Sequence, residues 1–144
     1  MKFDHLPKVE LHLHLDCSLS YTVVSQIDPS ITLETYKSKF IAPEKCDDLR
    51  DYLTRAPSSF PLMQTAEHLR LVVFDLFEQL REDNVSYAEI RFAPLLHIEG
   101  GLSPHEVVAS VEAAVAEAVR TTGIEARIIL CTMRFFRKPR VWRS

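Results

Sequence analysis

Two amphipathic helical stretches alternate with three β-rich runs, and this order narrows the possible folds more than any other feature of the chain. Leu69, Val72, Val73, Leu76 and Leu80 recur at helical spacing over residues 67–83, with Arg70, Glu78, Arg81 and Glu82 on the opposite side. Asn84 suits a stop. The second helix has stronger local signals: Ser103 as N-cap, Pro104 at the first helical position, and Glu106 completing a Ser-x-x-Glu capping box. Its apolar stripe runs through Val107, Val108, Val111, Ala114, Val115, Ala118 and Val119, and Gly123 suits a left-handed C-cap. The β-rich runs cover residues 10–16, 85–92 and 126–131. Strands separated by helices of this length build βαβ units, so the expected fold class is α/β with a parallel sheet.

A parallel sheet is covered on both faces, which makes the first strand unusual. Strand alternation puts Leu11, Leu13 and Leu15 on one face and Glu10, His12, His14 and Asp16 on the other. The rings of His12 and His14, two positions apart, can converge on one ion, and imidazole is a common ligand for divalent metals. Asp16, one step further, would reach whatever sits beside that ion. The competing reading is a solvated antiparallel edge whose histidines are merely wet. The βαβ order weighs against that edge, because the C-terminal ends of strands in a closed parallel barrel line its active-site mouth. Glu89 and Arg91 share the inward face of the second strand, where an ion pair between them explains both without catalysis.

Composition limits the function classes. The 144 residues suffice for one domain with a substantial core. With 47% hydrophobic residues, 26% charged and a net charge of -3, the chain reads as globular, with no general attraction to nucleic acid or membrane. No apolar run reaches transmembrane length, and residues 1–5 lack a signal-peptide layout. The three cysteines, Cys17, Cys46 and Cys131, are odd in number and lack a C-x-x-C pair, which points to a reducing compartment, by default the cytoplasm.

Residues 17–66 read as an excursion between core elements. A short helix is expected over residues 21–27, ended by Pro29, then a weakly patterned stretch through Pro43 to Cys46. Asp47 or Asp48 suits the cap of a second short helix, with Leu49, Tyr52 and Leu53 on one side. Pro57 and Pro61 break the chain after it. Residues 134–144 change character, being basic and aromatic without an acidic residue, so the expected division is 1–133 and 134–144. That tail either contacts phosphates and bases or is an abnormal ending, out of frame or truncated. The second reading is favoured, since no other basic patch supports nucleic-acid binding.

With these segments in place, the chain resembles the N-terminal part of the adenosine deaminase family. The run from Leu6-Pro7-Lys8 through His12-Leu13-His14-Leu15-Asp16 resembles the family's opening signature. Tyr87-Ala88-Glu89-Ile90-Arg91-Phe92-Ala93-Pro94 resembles its second-strand motif. Gly123-Ile124-Glu125-Ala126-Arg127, with Ile129-Leu130-Cys131 and Arg134, resembles its third. The resemblance implies the N-terminal portion of a (β/α)8 TIM-type barrel, about three βα units, in a metal-dependent hydrolase. It implies zinc as cofactor, with His12 and His14 as the first two ligands. It also places His14 and Asp16 beside a bound purine nucleoside, Asp16 towards the ribose hydroxyl. The helix carrying Leu49, Tyr52 and Leu53 is similar to one that closes over the purine, and ordinary helix packing explains those residues equally well.

The chemistry implied is hydrolytic deamination of adenosine-type purine nucleosides, with zinc lowering the pKa of a water that attacks C6. Two departures qualify it. Cys17 stands where the family has Gly; alternation points its thiol away from His12 and His14, which favours an inert role over a ligand. The family's third zinc-binding histidine, catalytic glutamate and final metal-binding aspartate lie beyond the third strand, so no catalytic residue is expected here. His5, His68 and His105 read as solvated, and His97 is a weak candidate for a missing ligand. The expectation is an incomplete, inactive segment. The alternative is a non-catalytic fragment or pseudoenzyme that binds metal or a barrel-completing partner. No membrane or nucleic-acid partner is expected, and the sequence does not fix the oligomeric state.

Overall fold

The computed structural model describes residues 5–133. The expectations about residues 1–4 and the 134–144 tail lie outside the described residues. Three strands, β1 (Lys8–His14), β2 (Val85–Phe92) and β3 (Glu125–Leu130), form a parallel sheet in the order β1-β2-β3. Helices α1 (Tyr21–Ile27), α2 (Leu33–Lys39), α3 (Leu49–Leu53) and α4 (Ala66–Glu82) lie between β1 and β2, and α5 (Pro104–Thr122) joins β2 to β3.

The caps set these boundaries. Ser103 accepts from the Glu106 amide while Glu106 reaches back to the Ser103 amide, closing the expected capping box. Gly123 ends α5 at φ 75°, a left-handed conformation that costs glycine little. Asn84, at φ 57°, makes the corresponding turn between α4 and β2. Helix α2 lies inside the stretch read as weakly patterned. Its signals were local: Thr32 caps the Thr35 amide, Glu34 stands in the first turn, and Lys37 and Lys39 in the last. No residue of α2 is buried, so it leaves no apolar stripe to find.

The core lies between the sheet and the two long helices. Leu69, Val72, Val73, Leu76 and Phe77 of α4 pack with Ala88, Ile90 and Phe92 of β2 and with Val107, Val111 and Ala118 of α5, all at 2% exposure or less. Each large apolar side chain buried this way contributes roughly 1.5–3 kcal/mol. Asp75 anchors the excursion to α4. It accepts from the Ser20 hydroxyl at 2.5 Å and the Ser20 amide at 3.0 Å, while Gln79 donates to the Ser18 carbonyl at 2.8 Å. The first turns after β1 are thereby held against the core. No helix among the described residues is long and apolar enough to cross a membrane.

Candidate metal centre

The strand expected to run through Asp16 ends at His14, and Leu15–Cys17 form a single 3-10 turn. The turn changes where the last side chains point. Leu15 enters the core at 0% exposure, Asp16 is buried at 5%, and Cys17 faces outward. The turn is pinned by the Ser18 hydroxyl, which donates to the His14 carbonyl at 2.5 Å, and by Ser59, whose hydroxyl donates to the Asp16 carbonyl. Within β1, Glu10 pairs with Ala88 and Leu13 with Ile90, so Leu11 and His12 together oppose Glu89. This is a bulge, which re-aims side chains relative to strict alternation. The three leucines accordingly do not form one buried face: Leu15 is buried, Leu13 partly, and Leu11 is 59% exposed.

His12 and His14 do converge. Their Nε2 atoms lie 3.2 Å apart, with ring centroids at 5.2 Å. Two nitrogens on one tetrahedral zinc, each about 2.05 Å from it, stand about 3.3 Å apart. The pair therefore fits a single ion. Arg91, the register partner of His14, places Nη1 3.1 Å from His12 Nε2. Guanidinium only donates, so without a metal His12 Nε2 accepts and His12 carries its proton on Nδ1. His14 Nε2 then donates to the same lone pair, which leaves His14 Nδ1 bare in the neutral ring. Burial lowers the His14 pKa, opposed by the Asp16 carboxylate and reinforced by Arg91 and His12, so the neutral, metal-binding form is favoured.

The Asp16 carboxylate faces the other edge of the His14 ring, with Oδ1 3.8 Å from Nδ1. Burial raises its pKa, with His14 and the Cys17 thiol pulling the other way. Cys17 Sγ lies 3.7 Å from Asp16 Oδ1, and burial, then the Asp16 charge, push the thiol up to about 12. Thus Cys17 does not point away from the cluster. Strand alternation misplaced it because the strand had already ended.

A cavity of about 330 Å³ opens at this end of the sheet, lined among others by His12, His14, Asp16, Tyr52, Leu53 and Cys131. Helix α3 is capped by Asp48, whose carboxylate accepts from the Asp51 amide at 2.8 Å. Leu49, Tyr52 and Leu53 are 71%, 54% and 51% exposed, so they are not packed into the core. Glu89 accepts from the Tyr87 hydroxyl at 3.1 Å, and no ion pair among the described residues joins it to Arg91. The pairing expected from their shared face is thus replaced by two separate contacts. His97 is withdrawn from the cavity. It is fully buried between Phe60 and Phe92, and burial lowers its pKa to about 4.

Comparison with known proteins follows the same outline. The adenosine deaminase family profile matches residues 7–144. The chain is 39% identical over 135 residues to adenosine deaminase of Enterococcus faecalis, covering 90% of this chain and 40% of that protein. It is 40% identical over 141 residues to adenosine deaminase of Clostridium botulinum, covering 93% and 42%. The chain thus spans about 40% of the length of these relatives. Among solved structures, a zinc-bound amidohydrolase from Burkholderia ambifaria superposes with a TM-score of 0.75 at 24% identity, over 89% of this chain and 36% of that one. Adenine deaminase from Arthrobacter aurescens superposes with a TM-score of 0.69 at 20% identity, over 90% and 41%. These likenesses show the fold: three parallel βα units forming part of a TIM-type barrel. With a family match that runs almost the full length of the sequence, the chain belongs to the adenosine deaminase family.

Proposed function

We propose that this chain carries one wall of a zinc site for the hydrolytic deamination of adenosine-type purine nucleosides. The observation that carries the reading is the pair of Nε2 atoms 3.2 Å apart on His12 and His14, beside the buried Asp16 carboxylate. His12 and His14 would hold the ion; zinc, when bound, supplies a water nucleophile at neutral pH. Burial keeps the His14 ring neutral, as a metal ligand must be. Metal and Arg91 compete for the same His12 lone pair, so loading requires the guanidinium to step aside. His14 and Asp16 border the substrate, Asp16 as a buried acceptor for a ribose hydroxyl. Tyr52 and Leu53, exposed and facing the cavity, supply apolar cover for a purine ring. Neither a nucleic acid nor a membrane is needed for this reading, and three free thiols are in keeping with the cytoplasm.

By itself the segment is a partial site. A catalytic zinc centre takes about three protein ligands plus an open position, and His12 and His14 supply two. The reading predicts that the 144-residue chain binds zinc weakly, that His12→Ala and His14→Ala each weaken binding by about tenfold or more, and that adenosine with added zinc is not deaminated. Equilibrium dialysis and an ammonia-release assay check these outcomes. Zinc binding unchanged by both substitutions would remove the site, and robust turnover would show that the segment is not partial.

A further inference from the structure

His14 presents its two ring nitrogens to different surroundings. Nε2 faces His12, whereas Nδ1 faces Asp16 and, beyond it, Cys17. A ring nitrogen of His14, a carboxylate oxygen of Asp16 and the sulfur of Cys17 all lie within 4.8 Å of one another. Donors on a tetrahedral ion with bonds of about 2.1–2.3 Å stand about 3.4–3.6 Å apart. The observed separations, 3.8 Å from His14 Nδ1 to Asp16 Oδ1 and 3.7 Å from Cys17 Sγ to Asp16 Oδ1, need only small side-chain movements to meet that geometry. Asp16 is 5% exposed, and the side chains presented to its carboxylate are these two neighbours. A buried carboxylate with so few donors is under-satisfied, and a cation between it and the sulfur would relieve that.

We propose that His14, Asp16 and Cys17 form a second cation site, selective for thiolate-seeking divalent ions of the zinc and cadmium class. It requires no residue outside this segment and does not use His12. Binding replaces the thiol proton with the metal and releases that proton to solvent, leaving a thiolate, a carboxylate and a neutral imidazole around the ion. Two anionic ligands balance the dication. The exposed Cys17 leaves an approach from solvent. Sulfur donors favour zinc and cadmium over magnesium or calcium. His14 does not readily serve both sites at once, so an ion held here by Nδ1 competes with one held beside His12 by Nε2. The inference rests on the position of the Leu15–Cys17 turn and stands apart from the deaminase reading, with which it shares His14.

Cadmium(II) and cobalt(II) titrations of the 144-residue chain test it. Thiolate-to-metal charge-transfer absorption is expected to rise to one equivalent in the wild type, Cys131→Ser and His12→Ala. Cys17→Ser, a conservative change at an exposed position, is expected to abolish the band and weaken cadmium binding by about tenfold or more, with an unchanged circular-dichroism spectrum as the folding control. No band in the wild type would overturn the proposal. Survival of the band in Cys17→Ser would assign the thiolate to Cys46 or Cys131, and its loss in His12→Ala would merge the site with the histidine pair. Either result also overturns it. The deaminase reading fails separately, if zinc binding ignores both His12→Ala and His14→Ala.

Discussion

His97 shows how a single residue can be read wrongly from its neighbours in sequence. It follows the C-terminal end of β2, where ligands are expected, yet its ring is fully buried between Phe60 and Phe92. Neither ring nitrogen has a well-formed hydrogen-bond partner among the described residues, the Met63 backbone being a marginal one. Burial disfavours the charged ring, lowering its pKa from 6.5 to about 4. The unfolded chain therefore takes up this proton more readily than the folded one between those values, so stability is full above about pH 6.5 and falls as pH drops towards 4. At about 1.4 kcal/mol per pH unit the loss approaches about 3 kcal/mol. Urea unfolding at pH 7.5 and pH 4.5 is expected to show that loss in the wild type and a smaller one in His97→Phe. Equal losses in both would mean that other groups carry the acid sensitivity.

The elements of the chain divide by how their ends are made. Helix α5 was readable to within a residue because its start and stop are each encoded locally, by Ser103, Pro104 and Glu106 and by Gly123. Removing the cap should cost what an isolated cap costs. Ser103→Ala is expected to lower stability by about 1 kcal/mol, measured as a reduced denaturant midpoint with an unchanged slope. Strand β1 is the opposite case. Its apolar and polar alternation continues past the point where hydrogen bonding to β2 stops, so the pattern extends further than the strand. The paired histidines survived this error because they lie within the paired strand. Cys17 did not, because it lies beyond the strand's end.

At the scale of the whole molecule, the sheet has two outer edges among the described residues, one on β1 and one on β3. Val9 and Leu11 of β1 and Leu130 of β3 are 58%, 59% and 46% exposed. In a closed barrel such positions are covered by further βα units. Unpaired strand edges carrying exposed apolar residues promote association between chains. Sedimentation velocity on the 144-residue chain is therefore expected to show concentration-dependent self-association, and Leu11→Lys should shift the population towards monomer. Identical distributions for the two proteins would mean that this edge is not the contact.

What the sequence by itself determined is what local chemistry encodes: the two long amphipathic helices, the caps of α5, the strands between them and the His12–His14 pair. Helical and strand periods report burial directly, so they can be read without knowing the partner that does the burying. Only the tertiary structure decided where β1 ends, and with it that Leu15 and Asp16 turn inward while Cys17 stays beside the histidine cluster. It also decided that Arg91 reaches His12 and that His97 is lost to the core. These outcomes depend on the register of β1 against β2 and on the packing of the excursion against α4. Both are interactions between residues far apart in the chain, and no window of the sequence contains both partners.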